Sequence, residues 1–203
     1  MNTDLDIERW RREIVRFGAL MFNRRLTDSA GGNISVRIGD RICMTPRYAG
    51  SQHQWQLASE DVLVVDMDGH ILDGDGAISR EAAMHFAIYR AYPLARAVVH
   101  AHALNIMPFA VAQRPIEPVL ESMRKLGTIQ LIPPAPSHTD RLARYVAESL
   151  LPRADELNEH PLAVLLPFHG IAIWAGDLYA AYDALERIDL NAYTLLMMRL
   201  LQR

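Results

Sequence analysis

Three histidines and one glutamate have the residue types and spacing that suit a metal ion. In Val98-Val99-His100-Ala101-His102 two imidazoles alternate with a small residue. Side chains on an extended strand alternate with a period of two, so His100 and His102 project from one face and can share an ion. The same triplet would serve equally as two hydrogen-bonded histidines at a strand end. His169 shifts the balance, because it stands between the apolar runs Leu162 to Leu166 and Ile171 to Ala175. A chain reversal there places an imidazole at the lip of a sheet, with Gly170 relieving the crowding. Glu81 lies two residues into a helix that leads directly to the His100 strand, so the returning strand can bring both to one end. Taken alone, it would be an ordinary first-turn acid favoured by the helix dipole. Three imidazoles and one carboxylate form a tetrahedral donor set that suits zinc, with bond lengths of about 2.0–2.2 Å. If substrate oxygens displaced Glu81, the ion would become an open Lewis acid and the freed carboxylate a nearby proton acceptor.

The elements that must position these groups follow from hydrophobic periodicity. From Asp4 to Leu26, Ile7, Trp10, Ile14, Phe17, Leu20 and Met21 recur at helical spacing, which predicts an amphipathic helix. The Gly-rich turn from Ser29 to Ser35 leads into a hairpin of 34–38 with 41–44. After the polar, turn-rich stretch from Thr45 to Gln54, Val62 to Val65 and Gly69 to Ile71 read as a second strand pair. Ser79 to Tyr92 reads as a helix with Ser79 as N-cap and Pro93 closing it. Strands are expected at 95–101, 128–132, 162–166 and 171–175, and helices at 105–112, 138–150 and 177–201. Several strand pairs are joined by turns shorter than the dozen or so residues that a parallel crossover needs. The expected fold is therefore α/β: a three-layer α-β-α sandwich with a mixed, mainly antiparallel central sheet, forming a single domain over 1–203.

The bulk properties narrow the partners. The chain has 203 residues, 50% of them hydrophobic and 22% charged, enough for one sizeable core. Its 21 Lys and Arg against 24 Asp and Glu give a net charge of -3 with no basic run, which argues against nucleic acid and for a small molecule. Met1 to Glu13 is too charged for a signal-peptide core, and no apolar run approaches the roughly 18 residues of a membrane span. A soluble, cytoplasmic protein is expected. Cys43 is the only cysteine, so no internal disulfide exists, and its neighbours Ile42 and Met44 point to a buried thiol rather than a nucleophile. The Met-rich end, Leu195 to Leu201, reads as core or subunit contact.

The sequence resembles the class II aldolase/adducin family over nearly its whole length. The resemblance is carried by Gly32-Asn33-Ile34-Ser35, Thr45-Pro46, Ser79-Arg80-Glu81, His100-Ala101-His102, His169-Gly170 and the spacing from Glu81 to His100. It implies the zinc-bound enediolate chemistry of sugar-phosphate aldolases and their epimerase, dehydratase and decarboxylase relatives. His100, His102 and His169 would be the zinc ligands and Glu81 the acid/base group. Asn33, Thr45 and Ser79 would line a phosphate pocket, and the family's ring-shaped assemblies imply a homo-tetramer with sites between subunits. In physical terms, such an ion stabilises the negative charge that builds up when a carbon–carbon bond breaks beside a carbonyl.

The chain departs from the family pattern at three places. Where the aldolases continue Thr-Pro-Ser/Thr-Gly, it reads Thr45-Pro46-Arg47-Tyr48-Ala49-Gly50, and the position before the acid is Arg80 rather than a second serine. Both guanidinium groups would favour a phosphate or carboxylate through bidentate hydrogen bonds. No tyrosine lies between Tyr92 and Tyr145 to match the aldolases' proton donor, and Glu121 falls roughly where it would be. His138 is expected to cap the helix it precedes, the other reading being a place at the pocket mouth. The expected function is a zinc-dependent lyase that cleaves a carbon–carbon bond, by aldol cleavage or decarboxylation, in a small phosphorylated or acidic hydroxy-carbonyl compound. An epimerase or dehydratase on the same ion is the alternative, and a non-catalytic adducin-like interaction module the more remote one.

Overall fold

Alternation along each strand decides which layer each side chain enters. The computed structural model describes residues 3–201, so residues 1, 2, 202 and 203 of the expected 1–203 domain lie outside the described residues. Helix α1 (Thr3–Asn23) is followed by β1 (Asn33–Ile38), β2 (Arg41–Met44), β3 (Leu63–Val65) and β4 (Ile71–Asp73). Then come α2 (Ala82–Ala91), β5 (Ala97–Ala101), α3 (Met107–Val111), α4 (Asp140–Ser149), β6 (Leu162–Leu166), β7 (Gly170–Ala175) and α5 (Leu178–Leu201). The seven strands form one sheet in the order β4-β3-β2-β1-β5-β7-β6, and every neighbouring pair is antiparallel. The sheet is thus antiparallel throughout rather than mixed, the parallel bridge between Leu131 and Leu165 being an isolated one outside its strand pairs.

One set of alternating strand residues, among them Val36, Cys43, Val99 and Ile173, packs against Ile14, Phe17 and Met21 of α1 and Leu185 and Ile188 of α5. The other set, with Met44, Leu63, Val98, Val164 and Trp174, packs against Met84, Ile88 and Tyr89 of α2 and Leu142 and Val146 of α4. Each such apolar side chain removed from water stabilises the fold by roughly 1.5–3 kcal/mol. The expected helix–sheet–helix sandwich is the observed one. His100 shares its parity with Val98 and so emerges on the α2/α4 face.

Three expectations are corrected here. Residues 128–132 form no strand; they contribute only isolated bridges, Ile116 with Ile129 and Leu131 with Leu165. The chain then enters Pro133-Pro134, which has no N–H to extend a ladder. The N-cap of α2 is Glu81 and not Ser79, whose Oγ instead accepts the Glu81 N–H at 3.2 Å. The N-cap of α4 is Thr139 and not His138: Thr139 Oγ1 accepts the Leu142 N–H at 3.2 Å.

Candidate metal centre and its pocket

The register of three adjacent strands brings the site together. Asn33, which opens β1, is opposite His100 near the end of β5, and His100 is opposite Ala172 near the start of β7. One end of the sheet therefore collects the Gly-rich turn before β1, the residues after β5 and the β6–β7 turn. The last of these carries His169, whose N–H bonds the Leu166 carbonyl at 3.0 Å. His102 lies one residue beyond β5, so the strand alternation that relates it to His100 continues past the last ladder pair. Gly170, at φ 157°, lets the turn close: a Cβ there would lie 2.4 Å from the Ala101 carbonyl oxygen.

The imidazoles of His100, His102 and His169 converge, with ring centroids 4.6, 5.0 and 5.3 Å apart. One ring nitrogen from each lies within 4.8 Å of the others. Hydrogen bonds set two of the tautomers. His100 Nδ1–H donates to the Ile171 carbonyl at 2.9 Å, and His102 Nδ1–H donates to Asp28 Oδ1 at 3.2 Å. Each leaves Nε2 as a bare acceptor. Those two Nε2 atoms and His169 Nδ1 are buried without a hydrogen-bond partner. Three buried, unpartnered ring nitrogens in one cluster are costly unless something joins them. Burial, with the neighbouring His169 and His102 adding to it, holds His100 well below its ordinary range, and burial brings His169 down to about 4. All of this fits a divalent ion on neutral imidazoles.

Glu81 is engaged by His138. It faces the same cavity at 5% exposure, but its Oε1 accepts the His138 N–H at 3.0 Å and also contacts His138 Nδ1, while Oε2 has no partner. The three imidazoles form the cluster, and the expected fourth ligand, Glu81, lines the same cavity with Oε1 held by His138 and Oε2 unpartnered.

A cleft of about 400 Å³ opens over these groups. Asn33, Arg47, Ser79, Arg80 and Glu81 all line it, together with the three imidazoles. Arg47 is tethered through Nε to the Ile78 carbonyl at 3.1 Å, and Arg80 is exposed. Ser79 Oγ accepts from Asn33 Nδ2 at 3.1 Å. Thr45 departs from expectation. It is fully buried, with Oγ1 accepting the Ile34 N–H at 3.1 Å, so it ties β2 to β1 instead of facing the cleft.

Three contributors were not singled out for these roles from the sequence. Asp28 orients His102, and nothing in the spacing marks it. Trp55 is buried at φ 61° and donates from Nε1 to the Asp28 carbonyl at 3.1 Å, which steadies the Gly-rich turn. His85 bonds Asn33 Oδ1 through Nε2 and Ser35 Oγ through Nδ1, the latter at 2.6 Å. Its position four residues after Glu81, on the same helix face, was a usable signal. His138, expected as a cap, lies on the cleft wall.

A seven-stranded antiparallel sheet flanked by helices, with three histidines and a carboxylate at one end, defines a class that comparison names. Residues 12–196 match the class II aldolase and adducin N-terminal domain, and the chain belongs to that family. A 3-oxo-tetronate 4-phosphate decarboxylase from Haemophilus influenzae is 32% identical over 189 residues, 88% of this chain and 83% of that protein. A methylthioribulose-1-phosphate dehydratase from Methylococcus capsulatus is 30% identical over 201 residues, 94% of this chain and 93% of that protein. The crystal structure of an L-fuculose-1-phosphate aldolase from Thermus thermophilus superposes with a TM-score of 0.78 at 29% identity, covering 93% of each chain. These relatives are enzymes, and they catalyse three different reactions. Among the described residues no helix is long and apolar enough to cross a membrane.

Proposed function

We propose that this chain is a zinc-dependent lyase that breaks a carbon–carbon bond, by aldol cleavage or decarboxylation, in a small phosphorylated or acidic hydroxy-carbonyl compound. One observation carries the reading. Three unpartnered imidazole nitrogens and the unpartnered Glu81 Oε2 border a single cleft that also presents Arg47 and Arg80.

A divalent ion on the three imidazoles would supply a fixed positive charge that stabilises the negative charge left beside a carbonyl when the adjacent bond breaks, an effect worth several kcal/mol. The chain's own groups do the rest. Glu81 Oε2, its oxygen without a protein donor, accepts or returns the proton. Arg47 and Arg80 hold the anionic end of the substrate by charge-assisted hydrogen bonds. Asn33 and Ser79, bonded to each other and to the α2 N-terminus through the Glu81 N–H, present a fixed polar wall. The same reading has the chain acting as one unit over 1–203 and assembling as a homo-tetramer. Exposed Leu104 and Phe168, close in sequence to His102 and His169, support the second point.

The test is a screen of the zinc-loaded protein across phosphorylated ketoses and 3-oxo acids. Release of an aldehyde or of carbon dioxide, lost on chelation and in His100→Ala, is the expected result. Products that keep every carbon would overturn carbon–carbon cleavage in favour of a dehydratase or epimerase on the same ion.

A further inference from the structure

The turn that bears His138 is strained and firmly tied. His138 is a non-glycine residue at φ 64°, in the left-handed region that costs an L-residue roughly 1–2 kcal/mol. Thr139 Oγ1–H donates to the Pro136 carbonyl at 2.7 Å while accepting the Leu142 N–H at 3.2 Å, so the turn is fixed on both sides of the helix start. Helix capping therefore needs nothing from His138. A glycine would meet the backbone requirement with less strain, so the imidazole itself calls for an explanation.

That explanation lies 57 positions away in sequence. The His138 N–H donates to Glu81 Oε1 at 3.0 Å, and Nδ1 of the same residue contacts the same oxygen. Glu81 is 5% exposed, and its other oxygen, Oε2, is buried with no partner. The main-chain N–H and the imidazole Nδ1 of one residue meet Oε1, and pinning that oxygen opposes rotation about the terminal torsion, which is broad and roughly two-fold and would otherwise exchange the two oxygens.

We propose that His138 is the positioning residue of Glu81: it clamps Oε1 so that Oε2 alone is offered to the reacting proton. This rests on the reading of Glu81 as the group that moves the proton. Strained residues cluster at functional sites because the surrounding structure must over-determine them, and the tied 136–142 turn does so here.

The experiment compares His138→Gly with His138→Asn in the full-length, zinc-loaded protein. Glycine and asparagine both adopt a positive φ, so neither adds strain. Glycine keeps the main-chain donor and deletes the imidazole, whereas asparagine restores a side-chain donor. The expected result is kcat lower by roughly tenfold or more in His138→Gly, part of the 10²–10⁴ that a positioned acid or base contributes. KM should stay within about twofold, His138→Asn should recover part of kcat, and the thermal midpoint and zinc content should not fall. Parental kcat in His138→Gly would overturn the proposal. A second measurement is independent of the reaction: the carboxyl ¹³C resonance of Glu81 in labelled, metal-free protein at one fixed pH. Should no substrate be turned over by the parent, the functional reading fails, and the resonance still decides. A shift in His138→Gly that reverts in His138→Asn supports the clamp, and an unmoved resonance overturns it.

Discussion

Asp28 Oδ1 accepts three hydrogens, from His102 Nδ1 at 3.2 Å and from the N–H groups of Ala30 and Gly31 at 2.9 and 3.0 Å. A half-exposed carboxylate thereby joins the Gly-rich turn to a histidine of the metal centre. It fixes the tautomer that leaves His102 Nε2 bare. Outer partners of this type raise ligand basicity, and their loss typically weakens metal binding by about 10–100-fold. Asp28→Asn should lower zinc affinity by that order with little change in the unfolding midpoint. Competition with a chromophoric chelator reads it directly, and unchanged affinity would show the contact to be incidental.

Gly31 is the floor on which His102 rests. A Cβ added there would lie 2.2 Å from His102 Cε1 and 2.7 Å from Nε2, distances that real atoms do not occupy. The ring must swing out of the cluster in Gly31→Ala. Because the methyl group meets a side chain at the sheet's end and not the packed layers, the far-UV spectrum should be retained. Bound zinc should fall well below one per chain, as measured by metal analysis after dialysis.

His85 makes the stability of the protein sensitive to acid. Its ring is fully buried between Asn33 and Ser35, and burial pulls its pKa down to about 3, against about 6.5 in an unfolded chain. The folded state therefore binds the proton more weakly than the unfolded state. Its contribution is complete above pH 6.5 and is lost as pH falls toward 3, at about 1.4 kcal/mol per pH unit per proton. Buried His100 and His169 act in the same direction in metal-free protein. Urea midpoints at pH 7.5, 5.5 and 4.5 should fall in that order, and His85→Gln should flatten the slope by about one proton. An equal slope in the variant would contradict this assignment.

Cys43 should be chemically silent in the native state. It is fully buried in β2, and burial pushes its thiol up to about 12, so the reactive thiolate is scarce and out of reach. A thiol reagent should label less than a tenth of the chains in buffer and all of them in denaturant. Fast labelling of folded protein would contradict the buried placement.

Much of the architecture was legible because it depends on local periodicity. The α1 pattern from Ile7 to Met21 marks one apolar stripe, the alternation from Ile34 to Ile38 marks β1, and the apolar runs 162–166 and 171–175 mark strands buried on both faces. The short turn between β1 and β2 and the one through His169 permit only antiparallel pairing. The 128–132 segment shows the limit of such patterns. Its apolar residues are real core residues, Ile129 and Ile132 being buried, but a strand also needs a neighbour with free backbone groups, and that is a property of the sheet's edge.

The metal centre divides in the same way. Residue types and the His-x-His spacing determined which imidazoles are available, and motif order determined the family. Only the tertiary structure decided that His138 holds one oxygen of Glu81, that Thr45 serves a backbone and not the cleft, and that Asp28 and His85 orient groups that face it. The physical reason is directional. Which lone pair of a carboxylate or imidazole is free depends on which hydrogen-bond partners engage the other atoms, and those partners come from positions 46 to 74 residues away, across the sheet and the α2–α4 boundary.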